Sequence, residues 1–299
     1  MKRAVSISLG SSKRDKRVET TLLGQPIVLE RIGTDGDQQK MRRLFQEMDG
    51  QVDAFGFGGA DLSLEVDGRD YTLYSVAKLV DGVKTPVVDG GGVRAVVERQ
   101  TAHHLATLLP NIQPKRALFC VGVARYHMAR SFLDEGYDVR FGDLAFGLEV
   151  PIFLHSLSAL HRVARILLPV MGRVPFEWLY PTGDKQSEIK PKYHNQFAWA
   201  SVVADDFLYV KKNLPEDMTG KIIVTNTTTP EDVELLRARG VSHLVTSTPR
   251  LDGRSFGTNM MEAALVALSG KKRPLSNYEI AEMLGEADML PTVLALQES

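Results

Sequence analysis

Short apolar runs rich in valine and isoleucine alternate along the chain with longer segments whose apolar positions recur at helical spacing. This alternation predicts strand–helix–strand crossover units, and hence an α/β fold with mainly parallel sheets and helices on both faces. The predicted strands lie at residues 4–8, 27–31, 52–57, 86–89, 117–122, 138–141, 201–204, 222–225 and 243–246. The predicted helices lie at residues 38–48, 93–109, 125–135, 152–170, 206–213, 230–239, 259–269 and 276–284.

Two segments break this alternation. Apolar and polar residues alternate on both sides of Asp67-Gly68, which predicts a β-hairpin insertion at 62–73. Residues 181–193 are polar, contain Pro and Gly and show no apolar period, which predicts an ordered loop or hinge. We therefore expect an N-terminal α/β lobe at 1–113 and a C-terminal Rossmann-like α/β lobe at 114–299.

Composition limits the class of protein. Of the 299 residues, 43% are hydrophobic and 24% charged, a balance that excludes collagen-like, coiled-coil and wholly disordered chains. Basic and acidic residues number 36 and 37, so the chain has no overall attraction to nucleic acid, although a local basic patch stays open. The single Cys120 can form neither an internal disulfide nor a cysteine-built metal site, which is typical of the reducing cytoplasm, the expected location.

The most apolar region lies at 150–180, yet arginines and histidines interrupt it. These side chains exclude a conventional spanning helix, so no integral membrane association is expected. Two interpretations stay open, a helix lying on a membrane surface or partner and a core helix with one solvated face. The apolar stretch at 4–9 is too short for a signal peptide.

Polar side chains follow two consecutive predicted strands. In open parallel sheets, ligands bind beyond the carboxyl ends of the strands, so these side chains indicate a cleft for a polar ligand. They are Thr225, Asn226 and Thr227 after the first strand and Thr246, Ser247 and Thr248 after the second. The alternative is that they cap helices and turns. The helix between the two strands opens with Thr229, Pro230 and Asp232, a capping-box pattern that makes that turn structural.

The turn before the helix predicted at 259–269 is the main candidate for anion binding. Unpaired amides at a helix start, with arginine and hydroxyl donors nearby, suit a phosphate or carboxylate. We therefore expect a small anionic molecule at this turn. The residues assigned to it are Arg254, Ser255, Gly257, Thr258 and Asn259.

Two glycine clusters follow predicted strands. Gly90 and Gly91 precede a long helix with Arg94 in its first turn, which predicts a phosphate-binding turn, with close strand-to-helix packing as the alternative. The Gly-Phe-Gly-Gly run at 56–59 leads into the predicted hairpin. A dinucleotide fingerprint requires a helix at that point, so this run is a weaker cofactor candidate.

Candidates for acid–base catalysis are few. Lys185 and Asp184 in the polar loop, and Asp89 at a strand end, are assigned to this role, with a solvated charged loop as the alternative for the first two. Asp205 and Asp206 could form a carboxylate pair, and Asp205 is also a suitable helix cap. The histidines lack metal-ligand spacing, so no metal site is expected. No nucleophile elbow or Walker A turn occurs in the sequence.

Several motifs occur together in the C-terminal half: Tyr180-Pro-Thr-Gly, Asp206-Phe, Thr225-Asn-Thr-Thr-Thr-Pro-Glu-Asp, Thr246-Ser-Thr-Pro and Gly253-Arg-Ser-Phe-Gly-Thr-Asn-Met-Met-Glu-Ala. With them the chain resembles bacterial proteins labelled quinate 5-dehydrogenase or shikimate-dehydrogenase-like. The resemblance implies an oxidoreductase that passes hydride between a hydroxylated cyclic acid and NAD or NADP, using a catalytic Lys and Asp. The alternative is a non-redox binder of a phosphorylated or carboxylated metabolite at the C-terminal strand ends. A homo-oligomer is left open.

Overall fold

The computed structural model describes residues 1–176, 189–247, 250–251, 254–255, 257–286 and 291–297. Its strands are β1 (Lys2–Ser8), β2 (Lys16–Leu22), β3 (Gln25–Gly33), β4 (Ala54–Gly58), β5 (Ser63–Val66), β6 (Arg69–Thr72), β7 (Val87–Val88), β8 (Arg116–Phe119), β9 (Asp138–Phe141), β10 (Val202–Ala204), β11 (Ile222–Thr225), β12 (His243–Thr246), β13 (Arg250–Leu251), β14 (Arg254–Ser255) and β15 (Thr292–Ala295). Its α-helices are α1 (Gln38–Glu47), α2 (Tyr74–Ala77), α3 (Gly91–Glu98), α4 (Thr101–Leu108), α5 (Tyr126–Asp134), α6 (Leu157–Met171), α7 (His194–Trp199), α8 (Phe207–Asn213), α9 (Pro230–Ala238), α10 (Thr258–Ser269) and α11 (Asn277–Glu286). Helices alternate with mostly parallel strands, so the predicted α/β class is confirmed.

The chain forms two compact units, each assembled from separated segments. Unit 1 comprises Met1–Val96, Ile166–Gly183 and Gly257–Met289, and unit 2 comprises Val97–Arg165, Asp184–Phe256 and Leu290–Ser299. This path differs from the contiguous lobes expected at 1–113 and 114–299. One physical reason is α10, whose side chains from Met260 to Leu268 are all buried and which packs on β1 and β4 of unit 1. A helix that is buried on all sides and, apart from Glu262, apolar from Met260 to Leu268 has to enter a core, and this one enters the core of unit 1.

Unit 1 is built on a five-stranded sheet in the order β2-β3-β1-β4-β7. β1 pairs in parallel with β3 on one side and β4 on the other, while β2 and β3 form an antiparallel hairpin. Phe45 of α1 packs edge-on against Phe55 and stacks on Phe57, both from β4. These three fully buried rings anchor α1 to the sheet.

Unit 2 is built on a six-stranded sheet in the order β15-β12-β11-β10-β8-β9, parallel except for the edge strand β15. The chain leaves β8 through α5 and returns as β9 on one side, whereas β10 lies on the other side of β8. This reversal makes the carboxyl ends of β8 and β10 a topological switch point, which is where open α/β sheets bind ligands.

Several local predictions are confirmed. The hairpin forms as β5 and β6, and Asp67 and Gly68 both have the positive φ that a two-residue type I′ turn requires. The capping box at the start of α9 is complete, because the Thr229 side chain accepts from the Asp232 amide while the Asp232 carboxylate accepts from the Thr229 amide.

Two predicted helices have different bounds in the structure. The helix expected at 93–109 is two helices, α3 and α4, and the second starts where the Ala102 amide donates to Ser131 Oγ of α5. The helix expected at 152–170 begins only at Leu157, because Leu154 forms a β-bridge with Phe141. In both cases a tertiary contact, and not the spacing of the apolar residues, decides where the helix begins.

The edge strand β2 was missed because five of its seven residues are charged or polar and its residues lie alternately half-buried and exposed. Such a pattern offers no apolar alternation to recognise. Within the described residues, no helix is both long enough and apolar enough to cross a membrane.

Candidate functional site

The switch point of unit 2 is organised around Arg125, which is the N-cap residue of α5 and is 5% exposed. Its Nη1 lies 3.1 Å from Glu98 Oε1 and its Nη2 lies 2.5 Å from Asp206 Oδ2. Glu98 is buried and Asp206 is partly exposed. One guanidinium therefore holds two carboxylates that come from different parts of the chain.

Asp206 connects this ion pair to the neighbouring strand ends. Its Oδ1 accepts from the Leu208 amide, which caps α8, and its Oδ2 also accepts from Asn226 Nδ2 at 2.9 Å. The expected cap was Asp205, and the structure corrects this assignment. Asp205 points into the core instead and accepts from the amides of Val121 at 2.6 Å and Asp206 at 2.7 Å.

A further carboxylate, that of Asp143, binds the backbone amides of the turn between β8 and α5. Asp143 accepts from the Gly122 amide at 3.0 Å and from the Val123 amide at 2.9 Å. Burial raises the pKa of Asp143 to about 6 and raises that of the fully buried Asp205 well above its ordinary value. The amides that a phosphate would use at this turn are thus occupied by the chain's own carboxylates.

The predicted polar residues after β11 and β12 lie in this unit. Thr225 and Thr246 are buried and face each other across the parallel pair, and the Ser247 amide donates to the Thr225 carbonyl. Asn226 contacts Asp206 and so belongs to the switch point. Thr227 follows directly in the same turn, whereas Thr248 lies outside the described residues.

The residues assigned to the anion site before α10 belong partly to unit 1 and partly to unit 2. Gly257, Thr258 and Asn259 belong to unit 1, whereas the polar ends of β11 and β12 belong to unit 2. The Asn259 side chain donates to Ser6 Oγ at 2.7 Å, and Thr258 packs against the backbone of Gly90. Arg254 and Ser255 form β14, which pairs with β13. The anion-binding role of these residues stays a prediction.

At the glycine turn before α3, carboxylates of the chain also accept from the backbone amides. Glu262 of α10 accepts from the amides of Gly92 at 3.0 Å and Val93 at 3.3 Å, which caps the start of α3. Asp89 accepts from the amides of Gly91 at 2.8 Å and Leu62 at 2.6 Å. Because glycine has no side chain, the Glu262 and Asp89 carboxylates can approach the backbone of this turn closely. The phosphate-binding role of Gly90 and Gly91 stays a prediction.

The acids at this turn have raised pKa values. Burial, and then the charge of Asp89, raise the pKa of Glu262 to about 7. Burial also raises the pKa of Asp89, against the opposing effect of Arg94. The acid–base role of Asp89 stays a prediction that this environment suits. Lys185 and Asp184 lie outside the described residues.

Sequence reasoning missed Glu98, Arg125, Asp143 and Glu262. One of them carried a signal, since Asp143 stands 21 residues after Gly122, near the spacing at which an acid follows the glycine turn of a dinucleotide-binding unit. Glu262 reaches Gly92 across a separation of 170 residues, and no local pattern marks it.

Comparison with solved structures gives matches of low similarity. A glucose-galactose binding protein from Geobacillus stearothermophilus shares 10% identity over 99% of this chain and 97% of its own, with a TM-score of 0.39. The malic enzyme of Entamoeba histolytica shares 10% identity over 94% and 61%, with a TM-score of 0.42. The NAD-dependent malic enzyme of Thermotoga maritima shares 14% identity over 95% and 84%, with a TM-score of 0.37. Similarity at this level carries no argument about function.

Family models cover nearly the whole chain. Residues 3–89 match a domain of unknown function, DUF8753, and residues 92–296 match a second one, DUF8754. The comparison with curated proteins gives no match. Because the second model spans more than half of the sequence, the chain belongs to the DUF8754 family.

Proposed function

We propose that unit 2 binds a small hydroxyl-rich molecule, of the sugar or cyclic polyol class, at the carboxyl ends of β8 and β10. One observation carries this proposal: four carboxylates and one guanidinium gather at the switch point. They are Glu98, Asp143, Asp205, Asp206 and Arg125. Asp206 is the partly exposed acid of this group, and an ionised carboxylate only accepts hydrogen bonds, so this edge of the sheet suits a ligand that donates them.

The charge balance favours a neutral ligand over an anion. Arg125 is the only cation in this group, and it is already paired with Glu98 and Asp206. A phosphate or carboxylate entering here would meet charge of its own sign. The phosphorylated or carboxylated metabolite expected at these strand ends is therefore the weaker candidate, while Asn226 and Thr227 extend the edge with further polar groups.

A second candidate is an NAD-dependent oxidoreductase, favoured by the position of Asp143 after Gly122 in a strand–helix–strand unit. An acid at this position accepts from the ribose hydroxyls and disfavours a 2′-phosphate, which predicts NAD over NADP. When bound, the nicotinamide would supply a hydride acceptor. The turn does not fit the pyrophosphate, because the Gly122 and Val123 amides already donate to the two oxygens of Asp143.

Calorimetric titration with myo-inositol, D-glucose, quinate, NAD and NADP tests the proposal. We expect a neutral polyol to bind the wild-type protein and Asp206→Asn to weaken it about tenfold or more, the value of a hydrogen bond to a charged group. Asparagine is also a good N-cap, so α8 should persist. Asp134→Asn, which removes an exposed carboxylate on α5, is the matched control.

The outcomes separate the candidates. Binding of glucose 6-phosphate more tightly than glucose, or equal polyol affinity in wild type and Asp206→Asn, would contradict the proposal. Red-shifted fluorescence of bound NADH together with quinate-dependent NADH formation would replace it with the oxidoreductase.

A further inference from the structure

The turn that follows β1 occupies the switch point of the other sheet. β1 lies between β3 and β4, to both of which it is parallel, so the carboxyl end of β1 faces the position where ligands enter such sheets. The turn runs from Leu9 to Arg14 and reads Leu-Gly-Ser-Ser-Lys-Arg. Its basic residues have no part in the function proposed for unit 2.

Three hydrogen-bond donors converge on Gly10 in this turn. A Cβ placed on Gly10 would lie 2.5 Å from Arg14 Nη2, 3.0 Å from Arg31 Nη2 and 3.3 Å from Ser8 Oγ. The Ser8 oxygen already accepts from the Gly10 amide at 3.1 Å, so its hydroxyl hydrogen is directed elsewhere. Glycine permits this close approach, because a side chain at this position would displace the Arg14 guanidinium.

The two guanidinium groups repel each other. Burial first, and then the charge of Arg14, lower the pKa of Arg31. Arg31 Nη1 lies 3.0 Å from Asp15 and 3.0 Å from the Ser11 carbonyl oxygen. In the described part of the chain, Arg14 has no hydrogen-bond acceptor within reach. Asp15 thus contacts Nη1 of Arg31, whereas Nη2 is the nitrogen that lies near Gly10.

Nearby acids are engaged elsewhere. Asp15 also accepts from the Gly33 amide at 2.6 Å, and Asp35 accepts from the Ser12 amide at 2.8 Å. Neither acid is among the three atoms nearest to a Cβ placed on Gly10. Paired guanidinium groups with a hydroxyl beside them are the donors that proteins use for phosphate, since each guanidinium offers a planar set of N–H groups.

We propose that the turn after β1 is a binding site for a doubly charged oxyanion, a phosphate monoester, held above Gly10 by Arg14, Arg31 and the Ser8 hydroxyl. The anion would neutralise the two guanidinium groups and accept from all three donors. This site belongs to unit 1 and is independent of the polyol site, so either can exist without the other.

The test is calorimetric titration of the full chain with inorganic phosphate at pH 7.5, where phosphate is mainly the dianion. We expect saturable binding to wild type and a loss of about tenfold to a hundredfold in Arg14→Gln, the range for a charged hydrogen bond. Gly10→Ala should lose binding to a similar degree because its methyl group pushes the Arg14 and Arg31 guanidinium groups apart. Arg17→Gln on β2, which removes a basic residue paired with Glu19, should keep wild-type affinity.

The Gly10→Ala variant keeps the test interpretable. The Gly10 backbone is not in the left-handed region, and the atoms that a methyl group meets are the ends of flexible arginines and a serine hydroxyl. Its melting temperature should therefore match wild type. Absence of saturable phosphate binding, equal loss in Arg17→Gln, or acetate binding as tightly as phosphate would overturn the proposal.

Discussion

The carboxyl ends of β1 in unit 1 and β8 in unit 2 are equivalent places in two parallel sheets, yet their side chains have opposite charge. After β1, Gly10 is surrounded by the donors of Arg14 and Arg31. After β8, the Gly122 amide donates to Asp143, and Asp205 accepts from the preceding residue. The fold determines where ligands can enter, and a few side chains at each turn determine which ligand charge is favoured.

The largest effect is expected for the acidic turn, on removing its cation. Arg125→Met removes the guanidinium from the buried Glu98, and breaking a buried ion pair on one side costs about 3–5 kcal/mol. We expect the free energy of unfolding, measured by urea denaturation, to fall by about that amount. An arginine that contributed only packing would give a much smaller loss.

Arg130→Met is the matched control for this experiment. Arg130 also lies on α5, but its partner Asp134 is exposed, and an exposed pair contributes about 0–1 kcal/mol. Equal destabilisation by the two substitutions would contradict the account of the acidic turn.

A smaller effect is expected from the protonation of Asp143. Its pKa is raised to about 6 from an ordinary 3.8, so the folded state holds the proton more tightly than the unfolded chain. The resulting stability is fully present below about pH 4 and is lost as the pH rises through 6. Asp143→Asn removes this dependence. The free energy of unfolding of the variant minus that of wild type should therefore rise between pH 4 and pH 7, by up to about 3 kcal/mol.

Unfolding curves at several pH values measure this difference. The exposed Asp134→Asn substitution should show a flat difference over the same range. If the difference for Asp143→Asn is also flat, Asp143 is not a buried acid that titrates in the folded protein.

The smallest effect compares the two glycines directly. A methyl group on Gly122 would clash with the buried Phe141 ring and lie 3.2 Å from Asp143, so Gly122→Ala should cost about 1–3 kcal/mol. Gly10→Ala should stay within about 0.5 kcal/mol of wild type, because flexible side-chain ends can move. Thermal denaturation of both variants measures the difference, and equal losses would contradict the claim that only flexible side-chain ends lie over Gly10.

Much of the fold could be predicted from the sequence because local patterns carry it. The strands β9, β11 and β12 have the predicted bounds, and the hairpin and the α9 capping box follow from residues only a few positions apart. These features depend on side-chain alternation, turn chemistry and capping, all of which act over short distances.

The candidate site was less predictable because long-range contacts build it. Arg125 meets Glu98 and Asp206 from segments far apart in the chain, and Glu262 reaches a turn 170 residues away. The placement of α10 was also not predictable, because its apolar surface gives no information about which sheet it covers, and α10 packs on the sheet of unit 1.

The central claim is that the two turns sort ligands by charge, and amide chemical shifts of glycine-labelled protein test it most directly. We predict that inorganic phosphate shifts the Gly10 resonance and leaves Gly122 unchanged, and that a neutral polyol shifts Gly122 and leaves Gly10 unchanged. A phosphate-induced shift at Gly122 without one at Gly10 would contradict the claim.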